Sequence, residues 1–289
     1  MNIILSTSSF FRSAIWATLT AISFAVMITA VHFMSGKFDA FQIVFFRAIV
    51  GLLLIIPLVS RSGLKALHTT KFPLHCIRTL FGLFAMAALY YAVSVKPLAE
   101  IISLTFLIPI FVTISSSVVL RETVGTHRWI ATIIGFGGAL IIIRPGFIEF
   151  DLPIFLALLS SALYAGAWST VKILTRTEHA SIMLFWLNLL MLPLTILPTV
   201  FVWVTPSWSD LAPILIMALF GWSAHFCQAK AFEKADASAV MPFDFLRLPI
   251  AAFFGYFIFS EALDLWIWVG AVVIFSASYY TVCREKINS

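Results

Sequence analysis

Charge is what this sequence has least of. Asp, Glu, Lys and Arg make up only 11% of it, against 62% hydrophobic residues and a mean hydropathy of +1.05. So few polar groups cannot cover a water-facing surface, which excludes a soluble domain. Cysteine is also sparse. Cys76, Cys227 and Cys283 are odd in number and scattered, with neither a disulfide framework nor metal-ligand spacing, and read as small packing residues. No Gly-x-x-x-x-Gly-Lys-Ser/Thr run and no His-Glu-x-x-His occurs, and no connection is long enough for a soluble catalytic domain. The net charge of +5 is small and lies between apolar runs rather than on one stripe, so no nucleic-acid partner is expected. Neither a metal nor a cofactor is expected.

What is present is a succession of long apolar runs. Their interiors must be α-helical, because lipid offers the backbone no hydrogen-bond partner. Ten spans are expected, over 13–34, 40–60, 73–95, 98–120, 127–143, 152–173, 180–203, 209–230, 236–259 and 264–283. The first is too long for a signal-peptide core and is taken as a retained helix. The fold class is therefore an all-α integral membrane protein in a lipid bilayer. Lys and Arg near the span ends set the orientation. With the N-terminus in the cytoplasm, twelve of them face inwards, while only Lys37, Lys96 and Arg144 face outwards. Both termini are then cytoplasmic.

One stretch occurs twice. Leu80-Phe81-Gly82, Ala92, Pro109, Glu122 and Trp129 recur in the same order as Leu219-Phe220-Gly221, Ala231, Pro249, Glu261 and Trp268. A single one-residue slip at the proline is all that departs from a constant offset. Upstream, in nearly the same register, Arg47 falls over Asn188 and Pro57 over Pro198. The chain thus divides into residues 1–143 and 144–289. Five spans per half is an odd number, so the second half enters the membrane upside down. Two inverted five-helix repeats can exchange conformations about a central site, which is the physical basis of alternating access.

The proline in the fourth span of each half, followed by a Glu on leaving it, resembles the EamA-type members of the drug/metabolite transporter superfamily. Here these are Pro109 with Arg121-Glu122 and Pro249 with Ser260-Glu261. Arg47 in Phe45-Phe46-Arg47-Ala48, Ile134-Gly135-Phe136-Gly137-Gly138 and Val269-Gly270-Ala271 are similar to that family too. The resemblance covers essentially the whole chain and implies a multi-pass protein of the bacterial inner membrane, monomer or homodimer, that carries a small metabolite. The departures are Asn188 in place of an arginine, and Ser23-Phe24-Ala25 where relatives often carry Trp-Gly.

Charged groups at membrane depth are costly unless paired or hydrated, so each is a candidate site. Arg47 lies roughly 12 Å along span two. Arg47 and Arg247 are either ligands for an anionic or carboxylate-bearing substrate or struts between helices. Asp244, three residues before Arg247, suits an ion pair with it and would face a cationic group. His225 and Gln228 share a face of span eight, and Tyr164 and Trp168 a face of span six, where the aromatic pair could stack on a flat substrate. Glu100 is the titratable group best placed to couple transport to protons, unless it simply reaches the interface beside Lys96. His32 and Arg78 read as interfacial. Pro109 and Pro249 are hinge candidates or static kinks.

The first reading is a secondary active transporter for a small organic molecule resembling an amino acid, vitamin or nucleoside, and not an enzyme. The runner-up is a membrane-embedded enzyme acting on a lipid-linked substrate. A passive channel comes third, because a polar-lined pore needs more intramembrane polar residues than occur here.

Overall fold

A computed structural model describes residues 7–62, 67–122, 124–143 and 151–260, together with Trp266, Val269, Gly270, Val272, Val273, Ser276, Ala277 and Tyr280. Arg144, Glu261, Trp268, Cys283 and most of the expected tenth span lie outside the described residues; those described between 264 and 283 are helical. Among the described residues there is no strand, and eight helices are long and apolar enough to cross a membrane. In chain order the helices are α1 (Thr7–Ser35), α2 (Ala40–Ser62), α3 (Phe72–Val95), α4 (Leu98–Leu104), α5 (Leu107–Val118) and α6 (Thr126–Ile143). They continue with α7 (Leu152–Leu174), α8 (Ala180–Phe201), α9 (Leu211–Lys234), α10 (Ala237–Val240) and α11 (Arg247–Phe259), and a 3-10 segment, Met241–Leu246, joins the last two. Large apolar side chains such as Leu53, Leu197, Phe201 and Phe257 face outwards, a surface suited to lipid.

The most extensive helix packing joins α1 to α9, α3 to α7 and α2 to α8. Shifting each partner by one repeat exchanges the first two pairs and returns the third to itself. The expected fourth and ninth spans are not continuous helices. The fourth breaks at Thr105–Phe106 between α4 and α5, and the ninth passes through the 3-10 segment. Proline explains the positions. Its ring clashes with the carbonyl four residues earlier and it has no N–H to donate. Four residues before Pro109 is Thr105, and four before Pro249 is Phe245. Each proline is the third residue of the resumed helix, within the first turn, where no N–H is needed. The interruptions thus lie upstream of the prolines. Both spans also end alike: Arg121 and Ser260, which precede the repeated glutamates, each adopt the left-handed conformation, with φ of 55° and 56°.

The two interruptions lie against each other. The rings of Phe106 and Phe245, equivalent positions in the two repeats, have centroids 5.2 Å from one another. Gly135 of α6 makes room for this contact, because a Cβ there would fall 2.3 Å from Phe245 Cε2. Gly137, two positions further along α6, has nothing within 4 Å of such a Cβ. Gly135→Ala should therefore destabilise the protein by about 1–3 kcal/mol through overpacking, with Gly137→Ala neutral or mildly stabilising. Thermal midpoints of the two purified variants test this, and equal midpoints would show that Phe245 is not seated on α6.

Candidate functional site

The residues expected to carry chemistry converge on the middle of the bundle. Arg47 comes from α2, Tyr164 and Trp168 from α7, His225 and Gln228 from α9, Asp244 from the 3-10 segment and Arg247 from the first residue of α11. All seven are buried. Arg247 Nη2 donates to Asp244 Oδ2 at 2.7 Å and to Thr105 Oγ1 at 3.1 Å, so one guanidinium ties the two helix interruptions together. The same guanidinium sits 5.4 Å from the ring centroid of Phe24 and 5.7 Å from that of Phe106, which adds cation–π attraction.

Phe24 of α1 occupies the centre of the cluster. Its ring meets Tyr164, Trp168 and His225 edge-on, with centroids 6.1, 6.0 and 5.7 Å away. Arg47 is held differently from Arg247. Its Nη2 reaches the Met191 sulfur at 3.7 Å and its guanidinium lies beside the Tyr90 hydroxyl, both neutral groups. Among the described residues no carboxylate lies within 4 Å of it. Each of the seven residues keeps a buried polar atom with no hydrogen-bond partner among the described residues. These are Arg47 Nε, Tyr164 Oη, Trp168 Nε1, His225 Nε2, Gln228 Nε2, Asp244 Oδ1 and Arg247 Nε. Folded proteins satisfy almost all such groups, since each orphan costs about 1–3 kcal/mol. Six of these residues are linked through Phe24, the Asp244–Arg247 pair and the shared lining of Arg47 and His225. Gln228 lies three residues along α9 from His225, and such a set is chemically suited to a polar ligand that supplies both donors and acceptors.

Other expected residues fall elsewhere. Glu100 is half-buried on α4, and its carboxylate makes no hydrogen bond to a described residue. Lys96 pairs instead with Asp151 at 2.9 Å, and this lysine beside it holds the Asp151 carboxyl below the usual carboxylate range. Arg78 is buried within the protein. It is 2% exposed, and its Nη1 donates to the Met183 carbonyl at 2.6 Å, because the end of α3 is covered by α8. His32 is half-buried, with its ring 4.5 Å from that of Phe259. Sequence reasoning missed Phe24 and Thr105. Thr105 was within reach of the repeat, as the counterpart of Asp244 in the first half. Among the described residues, no group of three or more His, Cys, Asp or Glu could hold a metal ion.

An all-helical bundle with outward apolar faces and a buried polar centre defines a multi-pass membrane protein. Residues 11–144 and again 151–283 match the EamA-like transporter family, and the chain belongs to it. It is 27% identical to an S-adenosylmethionine uptake transporter of Rickettsia prowazekii over 94% of this chain and 92% of the relative. It is 31% identical to a riboflavin transporter of Brucella anthropi over 84% of this chain and 88% of the relative. A solved crystal structure shares the fold with a TM-score of 0.78 at 14% identity, covering 98% of this chain and 99% of the other.

The Asp244–Arg247 pair makes a direct prediction. Removing one partner leaves an uncompensated buried charge, so Asp244→Asn should lower stability by about 3–5 kcal/mol. Adding Arg247→Gln to it should recover part of that loss. Thermal midpoints of both variants decide, and a double variant no more stable than Asp244→Asn would show that the pair is not isolated in this way.

Proposed function

We propose that this protein is a secondary active transporter that moves a small organic metabolite across the bacterial inner membrane by alternating access. Residues 1–143 and 144–289 act as two inverted five-helix units, with both termini cytoplasmic. The observation that carries this reading is the convergence of Arg47 with Tyr164, Trp168, His225, Gln228, Asp244 and Arg247, residues of both units, with their buried polar atoms unpartnered. Relatives named for S-adenosylmethionine and riboflavin support a substrate with a flat ring system, for which Tyr164, Trp168 and Phe24 supply aromatic surface. Pro109 and Pro249 place the breaks about which each unit would bend.

Ties between the units at both ends of the bundle support alternating closure. At the end assigned to the cytoplasm, Glu178 bonds to His75 at 2.7 Å and to Thr69, and Arg128 donates to Asp236 at 2.9 Å. At the outer end, Lys37 pairs with Asp210, and Gln42 bonds the backbone of Val204 at 2.6 and 3.1 Å. Under the register that sets Arg47 over Asn188, Thr69 falls on Asp210 and Lys37 on Glu178. The two ties are therefore repeat equivalents with different chemistry. Opening one set while the other holds would expose the centre to one side at a time. Where protons drive the cycle, Glu100 is the coupling group.

Reconstitution into proteoliposomes tests the transport reading. Uptake of radiolabelled S-adenosylmethionine or riboflavin should saturate and should accelerate when the same compound is preloaded on the far side. A flux that rises linearly with concentration and ignores preloading would indicate a pore. Glu100→Gln should keep this exchange while losing the response to a pH gradient; an unchanged response would remove Glu100 from coupling.

A further inference from the structure

The polar centre contains two arginines in opposite circumstances, and the difference bears on substrate chemistry. Arg247 already has its counter-charge in Asp244. Arg78, also deeply buried, lies within electrostatic reach of Glu178 and bonds a backbone carbonyl. Arg47 contacts the neutral Met191 sulfur and Tyr90 hydroxyl, has no carboxylate within 4 Å among the described residues, and lies within electrostatic reach of a second cation, Arg78. An uncompensated cation at membrane depth is expensive, so a ligand of opposite charge stabilises it strongly.

A small cavity opens on Arg47, bounded also by Gly51, Asn188, Gly221, Trp222 and His225, and its room of about 10 Å³ is enough for a single water. Three buried nitrogens of its lining residues have no hydrogen-bond partner among the described residues: Arg47 Nε, Trp222 Nε1 and His225 Nε2. Arg47 and His225 are only 3% and 7% exposed. No carboxylate lines the cavity. The glycines belong to its construction. A Cβ at Gly221 would lie 3.2 Å from Arg47 Cδ, and one at Gly51 would lie 2.6 Å from Asn188 Oδ1. Asn188 is the repeat equivalent of Arg47, and its Nδ2 is turned back to the Leu184 carbonyl at 2.8 Å. The second unit therefore has no matching cationic pocket.

We propose that Arg47, Trp222 and His225 form a monocarboxylate subsite, and that the transported metabolite carries one carboxylate which seats there. This rests on the transporter reading. A carboxylate is acceptor-only, with about four lone-pair positions on two oxygens, and so can take all three nitrogens when His225 presents its proton at Nε2. The single formal charge of Arg47 matches a monoanion better than a doubly charged phosphate. The cavity has room for one water, so the carboxylate and the rest of the molecule enter as the surrounding side chains, including the aromatic cluster around Phe24, give way.

The test uses matched pairs. Purified protein and proteoliposomes are challenged with S-adenosylmethionine, amino acids and aromatic monocarboxylates, each beside its own carboxamide, and with riboflavin as a neutral flat compound. Thermal stabilisation and inhibition of exchange are read for wild type, Arg47→Gln and Trp222→Phe. At least one acid should bind about tenfold or more tighter than its amide, the value of a charge-assisted hydrogen bond. Arg47→Gln should bring that ratio to about one. Trp222→Phe, which keeps a ring but no donor, should weaken the acid and leave the amide unchanged, and it serves where Arg47→Gln does not fold. Saturable exchange of compounds that show no preference for acid over amide would overturn the carboxylate subsite and leave the transporter reading intact. Absence of saturable exchange across the whole panel would count against the transporter reading itself.

Discussion

In a bilayer no water is available to satisfy a broken backbone, so a helix can be interrupted only where protein shelters the break. Among the described residues two spans are interrupted, and each shelters the other. Thr105 and Phe106 on one side meet Asp244, Phe245 and Arg247 on the other, through a hydroxyl–guanidinium bond and a ring contact, with Gly135 giving the second break its seat. The polar centre depends on this arrangement. Without the turn through Met241–Leu246, Asp244 and Arg247 would follow an ordinary helical path rather than reach Thr105.

Charge is distributed around that junction unevenly. Three of the four buried arginines among the described residues lie along the interior and are accommodated differently: Arg247 by a carboxylate and two rings, Arg78 by a carbonyl and a more distant carboxylate, Arg47 by a sulfur and a phenol. Removing charge from water is costly in each case, but only the first two costs are offset by opposite charge inside the protein. The unevenness follows the sequence asymmetry between the halves, since the second copy carries Asn188 where the first carries Arg47. A duplicated scaffold has in this way become polar in one direction, with a cationic pocket on one side and a closed ion pair on the other.

Much of the architecture was legible beforehand, because its causes are local. Apolar run length marks the membrane-crossing helices, and the recurrence of Leu-Phe-Gly, the prolines and the glutamates marks the doubled unit. The buried polar and aromatic residues were legible for a related reason: such a side chain in an apolar run stands out, and all seven that were singled out are buried. What did not show was tertiary. Proline signals an interruption, but a run of apolar residues does not reveal that the break falls four residues upstream or that the two breaks touch. Arg78 stood near a span end by counting, yet α8 covers it. Phe24 was one of twenty-nine phenylalanines, and only its neighbours distinguish it. Trp222 was equally hidden among nine tryptophans.

The central claim is that the two helix interruptions meet, and that transport requires them to part. Its most direct measurement is oxidative cross-linking of a variant carrying Phe106→Cys and Phe245→Cys, with Cys76, Cys227 and Cys283 replaced by serine, followed by exchange assays before and after reduction. An efficient intramolecular disulfide should form and arrest exchange, with activity restored by reduction. Failure of the disulfide to form, or exchange at full rate with the link intact, would contradict the claim.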